Sequence, residues 1–144
     1  MNPSYPNPDP LAPWAPLLDA PESASRREAR ENPDTRRAAR PTVVPPADGW
    51  VNLHAHTTYS FNAYGFTPTG FAWRARRAGL AAAGIVDFDV LDGADEFLEA
   101  GRAFGLKAMV GLETRVFVPE FSSRVLNSPG EPGIAYHMGV GFCR

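Results

Sequence analysis

Cysteine is all but missing from this chain: Cys143 is the only one among 144 residues. An intrachain disulfide is therefore impossible, and a thiolate metal cluster is excluded. No apolar run approaches the length of a transmembrane helix. The early stretch "LAPWAPLL" is short, broken by prolines and not preceded by basic residues, so it does not read as a secretory signal. Charge of either sign is never in large excess. The formal net charge of -2 gives no global attraction to nucleic acid or to an anionic membrane. These absences predict a cytoplasmic chain with no membrane partner. What remains, 44% hydrophobic and 21% charged residues, suffices for one domain with a core.

Proline divides the chain. Eleven of the fifteen prolines precede Asp48. "MNPSYPNPDPLAPWAPLLDAP" loses too many backbone donors to hold a helix or a central strand. In "ESASRREARENPDTRRAARP", Ser25 and Glu28 have capping-box spacing, so a short helix is expected until Pro33 stops it. No apolar face accompanies it. Residues 1–47 are therefore expected to be a disordered Pro/Arg-rich tail, with residues 48–144 as the folded part. Six arginines of the tail could meet a phosphate backbone, but four acidic residues are interleaved with them.

From Trp50 the texture changes. "WVNLHAH" reads as a strand. "TPTGFAWRARRAG" reads as a helix with Thr67 as N-cap, Pro68 at the first position and Gly79 just past the end. "LAAAGIVDF" is a buried strand. "DGADEFLEAGRAFG" is a helix with Ala94, Phe97, Leu98 and Phe104 on one stripe and Gly105 as its stop. "LKAMVGLE" is a third strand, and "IAYHMGVGF" a fourth after the turn-rich "NSPGEPG". The β-α-β-α-β order predicts an α/β fold with a parallel sheet and right-handed crossovers.

In such folds ligands gather at the C-terminal ends of the strands. His54 and His56 end the first strand, Asp87 and Asp89 the second and Glu113 the third, while His137 lies on the fourth. Residues i and i+2 of a strand share a face, so His54 and His56 can chelate one cation, with Glu113 supplying an oxygen. Imidazole with carboxylate suits Zn²⁺, Mn²⁺ or Fe²⁺ better than Ca²⁺. Singly, each residue has a plainer role: Asp87 and Asp89 as helix caps, Glu113 in a salt bridge, His137 in a hydrogen-bonded core. Their arrival on successive strand ends favours the metal reading. Asp87 and Glu113 are the candidate catalytic carboxylates. His54, His56, Glu113 and His137 are candidate ligands, and Asp87 and Asp89 are further ones. Arg115 is a candidate phosphate contact.

"NLHAHTTYS", "GLAAAGIVDFDVLDGADEF" and "GLKAMVGLET", in this order and spacing, resemble the polymerase and histidinol phosphatase (PHP) domain. The resemblance runs from about Val51 to Glu113, and more loosely to Phe142. It implies a distorted, TIM-like barrel of seven β/α units whose mouth holds up to three metals and which hydrolyses phosphoesters. On that pattern His54 and His56 bind the first metal, Glu113 bridges two, and His137 follows the bridging glutamate. Two family ligand positions hold phenylalanine here: Phe61 in place of an aspartate and Phe88 in place of a histidine. The residues present would hold one or two divalent ions.

A closed barrel of this kind needs roughly 200 or more residues. The expectation is a partial barrel of three to four β/α units, either a fragment or a chain completed by association. The function it implies is a metal-dependent phosphoesterase acting on a small phosphoester or nucleotide-like substrate. A degenerate PHP domain kept for binding or scaffolding is the first alternative, which Phe61 and Phe88 favour. An amidohydrolase-type barrel fragment is the second; it also opens with His-x-His, but Lys107, the only lysine, starts a strand instead of ending one. A nucleic-acid accessory role for the arginine-rich tail is the third.

Overall fold

The computed structural model describes residues 12–42, 44–45, 49–63 and 65–142. The opening prolines up to residue 11 and Cys143 lie outside the described residues. Two of the helices, those starting at Pro33 and Pro68, are local consequences of their caps. Helix α1 (Ser23–Glu31) is followed at once by α2 (Pro33–Ala38), because Asn32 Oδ1 accepts from the Asp34 and Thr35 amides and Pro33 takes the first helical position. Pro33 thus starts a helix. Ser25 lies inside α1, whose N-cap is Glu22. Strand β1 (Trp50–Asn52) precedes α3 (Pro68–Arg77), in which Thr67 Oγ1 caps the Gly70 amide.

Strand β2 (Leu80–Ile85) leads to α4 (Ala94–Phe104), which stops at Gly105 in the left-handed conformation. Strand β3 (Lys107–Phe117) is long, and β4 (Ile134–Val140) closes the described chain. The sheet order is β1-β2-β3-β4. The first three strands are parallel, as the sequence predicts. Helices α3 and α4 cover one face together, with Phe71 and Phe97 stacked at 5.7 Å. Ala83, Ile85 and Val110 face these helices in the core. Gly84, Met109 and Glu113 alternate to the other face.

β4 departs from the expected β/α repeat. It pairs antiparallel with β3, Glu113 opposite Met138 and Thr114 opposite His137. No crossover helix separates β3 from β4, and a parallel return is usually made by one. β3 therefore carries two ladders: Lys107–Val110 with β2 and Gly111–Phe117 with β4. The result is a mixed α/β partial barrel of three parallel strands and one antiparallel strand.

Residues 12–42 are not the disordered tail the sequence suggests. Leu18, Ala29 and Ala39 are fully buried in the same core cluster as α3 and α4. Trp14 packs on Trp73 at 5.7 Å, and the Trp73 indole N–H donates to the Thr35 carbonyl. Arg26 and Arg30 are buried and reach Glu96 and Glu99 of α4. The face that α1 buries is thus largely ionic, which a search for apolar periodicity passes over. No helix among the described residues is long and apolar enough to cross a membrane.

Candidate metal centre

β1 ends at Asn52, so His54 and His56 lie in an extended segment beyond the ladder. Asn52 Oδ1 accepts from the His54 amide at 3.1 Å, and the Ala55 carbonyl accepts from the Val86 amide at 2.9 Å. These bonds prolong the strand direction and turn both imidazoles to one side. Their ring centroids are 5.3 Å apart. Glu113, on the sheet face away from the helices, meets them. Its Oε2 lies 3.1 Å from His54 Nε2 and 3.3 Å from His56 Nε2.

This spacing fits a cation. A tetrahedral ion with ligands about 2.0–2.1 Å away separates neighbouring donors by about 3.3 Å. The three ligand atoms of His54, His56 and Glu113 all lie within 4.8 Å of one another. Glu113 is 9% exposed, while the His54 side chain is half exposed. Burial pushes the His56 imidazole below its usual pKa. His54 adds to that shift, against the opposing pull of Glu113 and Asp87. A neutral imidazole is the form that ligates a metal.

Asp87 is 2% exposed and is not at the donor group. Alternation turns it toward the helices, where its carboxylate accepts from the Thr57 amide at 2.5 Å and the Thr57 hydroxyl at 2.6 Å. It anchors the residue that follows His56. Asp89 takes the left-handed conformation, φ 58°, and accepts from Thr114 Oγ1. His137 stands opposite Thr114, so it shares the Thr114 face and is turned from Glu113. The structure therefore gathers His54, His56 and Glu113 and leaves Asp87, Asp89 and His137 outside the group. A one-residue step in register decides which face a strand residue uses, and the sequence does not print that register.

Phe88 and Phe61 form one wall of the site. Phe88 bridges directly to Glu113 in parallel register, which puts its ring on the same face. That ring stacks on His56 at 5.2 Å, meets Phe61 at 4.9 Å and Tyr136 edge-on at 5.7 Å. Arg115, two residues after Glu113 and on its face, lies 5.8 Å over Phe61 and pairs with Glu131 at 3.3 Å. Sequence reasoning missed Thr57, Ser60 and Tyr136. Thr57 and Ser60 carried a signal in their place within "HTTYS", directly after the two histidines: Ser60 Oγ accepts from the Phe88 amide and lies 3.5 Å from His56 Nδ1. Tyr136 carried none.

The family model described as PHP domain matches residues 52–139. The chain belongs to the PHP domain family. An error-prone DNA polymerase of Cutibacterium acnes is 35% identical over 100 residues, 68% of this chain and 8% of that protein. One from Mycolicibacterium paratuberculosis is 36% identical over 99 residues, 69% of this chain and 8% of that protein. The DNA polymerase III subunit alpha of Saccharopolyspora erythraea is 34% identical over 68 residues, 47% of this chain and 6% of that protein. The PHP chain thus spans less than a tenth of the length of these curated relatives. A crystal structure of a Bifidobacterium adolescentis protein assigned as a metal-dependent phosphoesterase is 34% identical, with a TM-score of 0.44. It covers 51% of this chain and 24% of that one. The family match sets the amidohydrolase-type alternative aside.

Proposed function

We propose that His54, His56 and Glu113 hold one divalent ion, Zn²⁺ or Mn²⁺ with Fe²⁺ as a third candidate, in a cytoplasmic metal-dependent phosphoesterase of PHP type or a part of one. The observation that carries this reading is the convergence of two imidazole nitrogens on one carboxylate oxygen at 3.1 and 3.3 Å. When bound, the ion supplies Lewis-acid chemistry, activating water and screening phosphoryl oxygens. The chain's own residues do the rest. Glu113 and His56 are held from behind by β3 and by the Thr57–Asp87 anchor. His54, half exposed, stands at the side from which substrate enters. Arg115 is the candidate phosphoryl contact and would exchange Glu131 for the substrate anion.

The polymerase relatives make a phosphodiester the first substrate class to try, alongside a phosphomonoester. The test is metal analysis of the protein after stripping and reconstitution with Zn²⁺ or Mn²⁺. A stoichiometry near one is expected, lost in His54→Ala with His56→Ala. Hydrolysis of bis(p-nitrophenyl) phosphate and p-nitrophenyl phosphate by the loaded protein, absent from the double variant, completes it. A stoichiometry near zero overturns the metal reading.

A second reading is favoured by Phe61 and Phe88, which offer no lone pair where the family resemblance implies ligands. In it the site binds an ion and an anionic ligand or partner loop without turnover. A stoichiometry of one with no hydrolysis of either ester selects that reading.

A further inference from the structure

Residues 12–42 precede the PHP-matched region, yet they touch the loop that carries the histidines. Arg26 is the centre of this contact. It is 4% exposed. Its Nη1 donates to the Ala20 and Pro21 carbonyls at 2.6 Å. Nε and Nη2 form a two-point bond to the Glu96 carboxylate, each at 2.8 Å. Nη2 also donates to Tyr59 Oη at 3.3 Å. Glu96 in turn accepts from the Thr69 amide and hydroxyl at the start of α3. One guanidinium thus joins the N-terminal segment, α1, α3, α4 and the loop after His56.

A second tie supports the first. Thr67 donates its amide to Asp19 Oδ1 and its hydroxyl to the Leu18 carbonyl. The neighbouring Phe66 carbonyl accepts from the Thr58 amide at 2.9 Å. The N-terminal segment therefore reaches both Thr58 and Tyr59, around a cleft of about 360 Å³ lined by Asp19, Arg26, Thr58, Tyr59 and Thr67. Tyr59 passes the constraint inward, since its amide donates to Thr57 Oγ1, which is fixed on Asp87.

We propose that Arg26 is a positioning residue for the candidate metal centre: through Tyr59 it holds the loop that carries His56. The inference rests on the His54–His56–Glu113 reading for its effect on metal, but not for its effect on the loop. Groups that orient ligands from outside the coordination sphere commonly change affinity 10- to 100-fold. An arginine can grip Glu96 at two points and still reach Tyr59. A lysine, a single flexible point charge, cannot.

The experiment compares the full chain with Tyr59→Phe, Arg26→Lys and Arg26→Ala. Amide hydrogen exchange is followed in the metal-free protein, and Zn²⁺ affinity is measured by chelator competition. Tyr59→Phe is expected to speed exchange at Thr57–Ser60 by about tenfold while the α3 and α4 core amides keep their rates. It should raise the Zn²⁺ dissociation constant by about tenfold. Arg26→Lys should do the same with most of the global stability retained. Arg26→Ala should also unfold more readily. Unchanged loop exchange in both conservative variants overturns the proposal. So does faster exchange spread evenly over the loop and the core, the mark of a merely structural role. If the parent binds no Zn²⁺, the proposed function fails while loop exchange still decides the role of Arg26.

Discussion

Phe88 lies flat on His56, ring centroids 5.2 Å apart and planes 9° from parallel. The same phenylalanine is the direct bridge partner of Glu113 across the sheet. A side chain at position 88 therefore stands beside both the candidate imidazole ligand and the candidate carboxylate ligand. Phe88→His puts a nitrogen donor there. It is expected to raise the metal bound per chain, or to tighten it at least about tenfold, in metal analysis and chelator competition. Loading and affinity equal to the parent's would show that position 88 does not face the donor group.

Asp87, Asp89 and His137 separate cleanly by experiment. Asp87→Asn weakens two short bonds to Thr57 without touching a ligand atom. The expected cost is about 1.5–3 kcal/mol of stability, because a charged acceptor is lost from a buried pair. Metal affinity should fall about tenfold or more as the loop after His56 loosens. Asp89→Ala and His137→Ala, on the other side of the strand, should leave metal affinity within about twofold. Urea unfolding and chelator competition on the three variants check this. A large loss of metal in His137→Ala alone would contradict the observed register.

The Arg26–Glu96 pair gives stability a pH dependence of fixed sign. Burial by itself would raise the Glu96 carboxyl, but the hydrogen bonds and charge of Arg26, with those of Thr69, outweigh it and hold the carboxyl below 4.5. A depressed carboxyl contributes stability that is complete above its unfolded pKa and is lost as pH falls through the folded one. Parent and Glu96→Gln should therefore differ by a constant amount in unfolding free energy above about pH 5.5. The gap should narrow as pH drops below 4.5. Urea titrations across this range test it, and a gap that widens toward acid would reverse the sign.

Gly84 lies under the segment that leads to His54. A Cβ there would stand 2.9 Å from the Leu53 carbonyl oxygen and 2.9 Å from Met109 Cε. The methionine can swing aside, but the backbone cannot without moving its neighbour. Gly84→Ala should lower metal affinity severalfold and cost about 1–3 kcal/mol. Thermal unfolding with and without Zn²⁺ measures both, and a variant with the parent's affinity would mean that His54 does not follow the Leu53 backbone.

Helices α3 and α4 were legible because their signals are local: Thr67 and Pro68 at one start, Gly79 and Gly105 at the ends, and Phe97 and Phe104 at helical spacing. His54 and His56 were legible from their i, i+2 spacing just past β1, and Glu113 from its place beyond the parallel ladder of β3, although β3 does not end there and runs on to Phe117. Three things were not. The helices within residues 12–42 bury arginines against glutamates about seventy residues away, so their partners cannot be seen within a local window. The direction of β4 depends on the missing crossover helix. The face of His137 depends on its register with β3, where one step inverts every side chain.

Arg26 and Glu96 are 70 residues apart in the chain. During synthesis α1 is made before α4, yet α4 supplies the carboxylates for both of its buried arginines. The N-terminal segment must therefore wait in water, unpaired, until about residue 104 is available. Its docking closes a long loop and is expected in the late, slow part of folding. A segment made before α3 and α4 is then expected to be the last helical layer to settle.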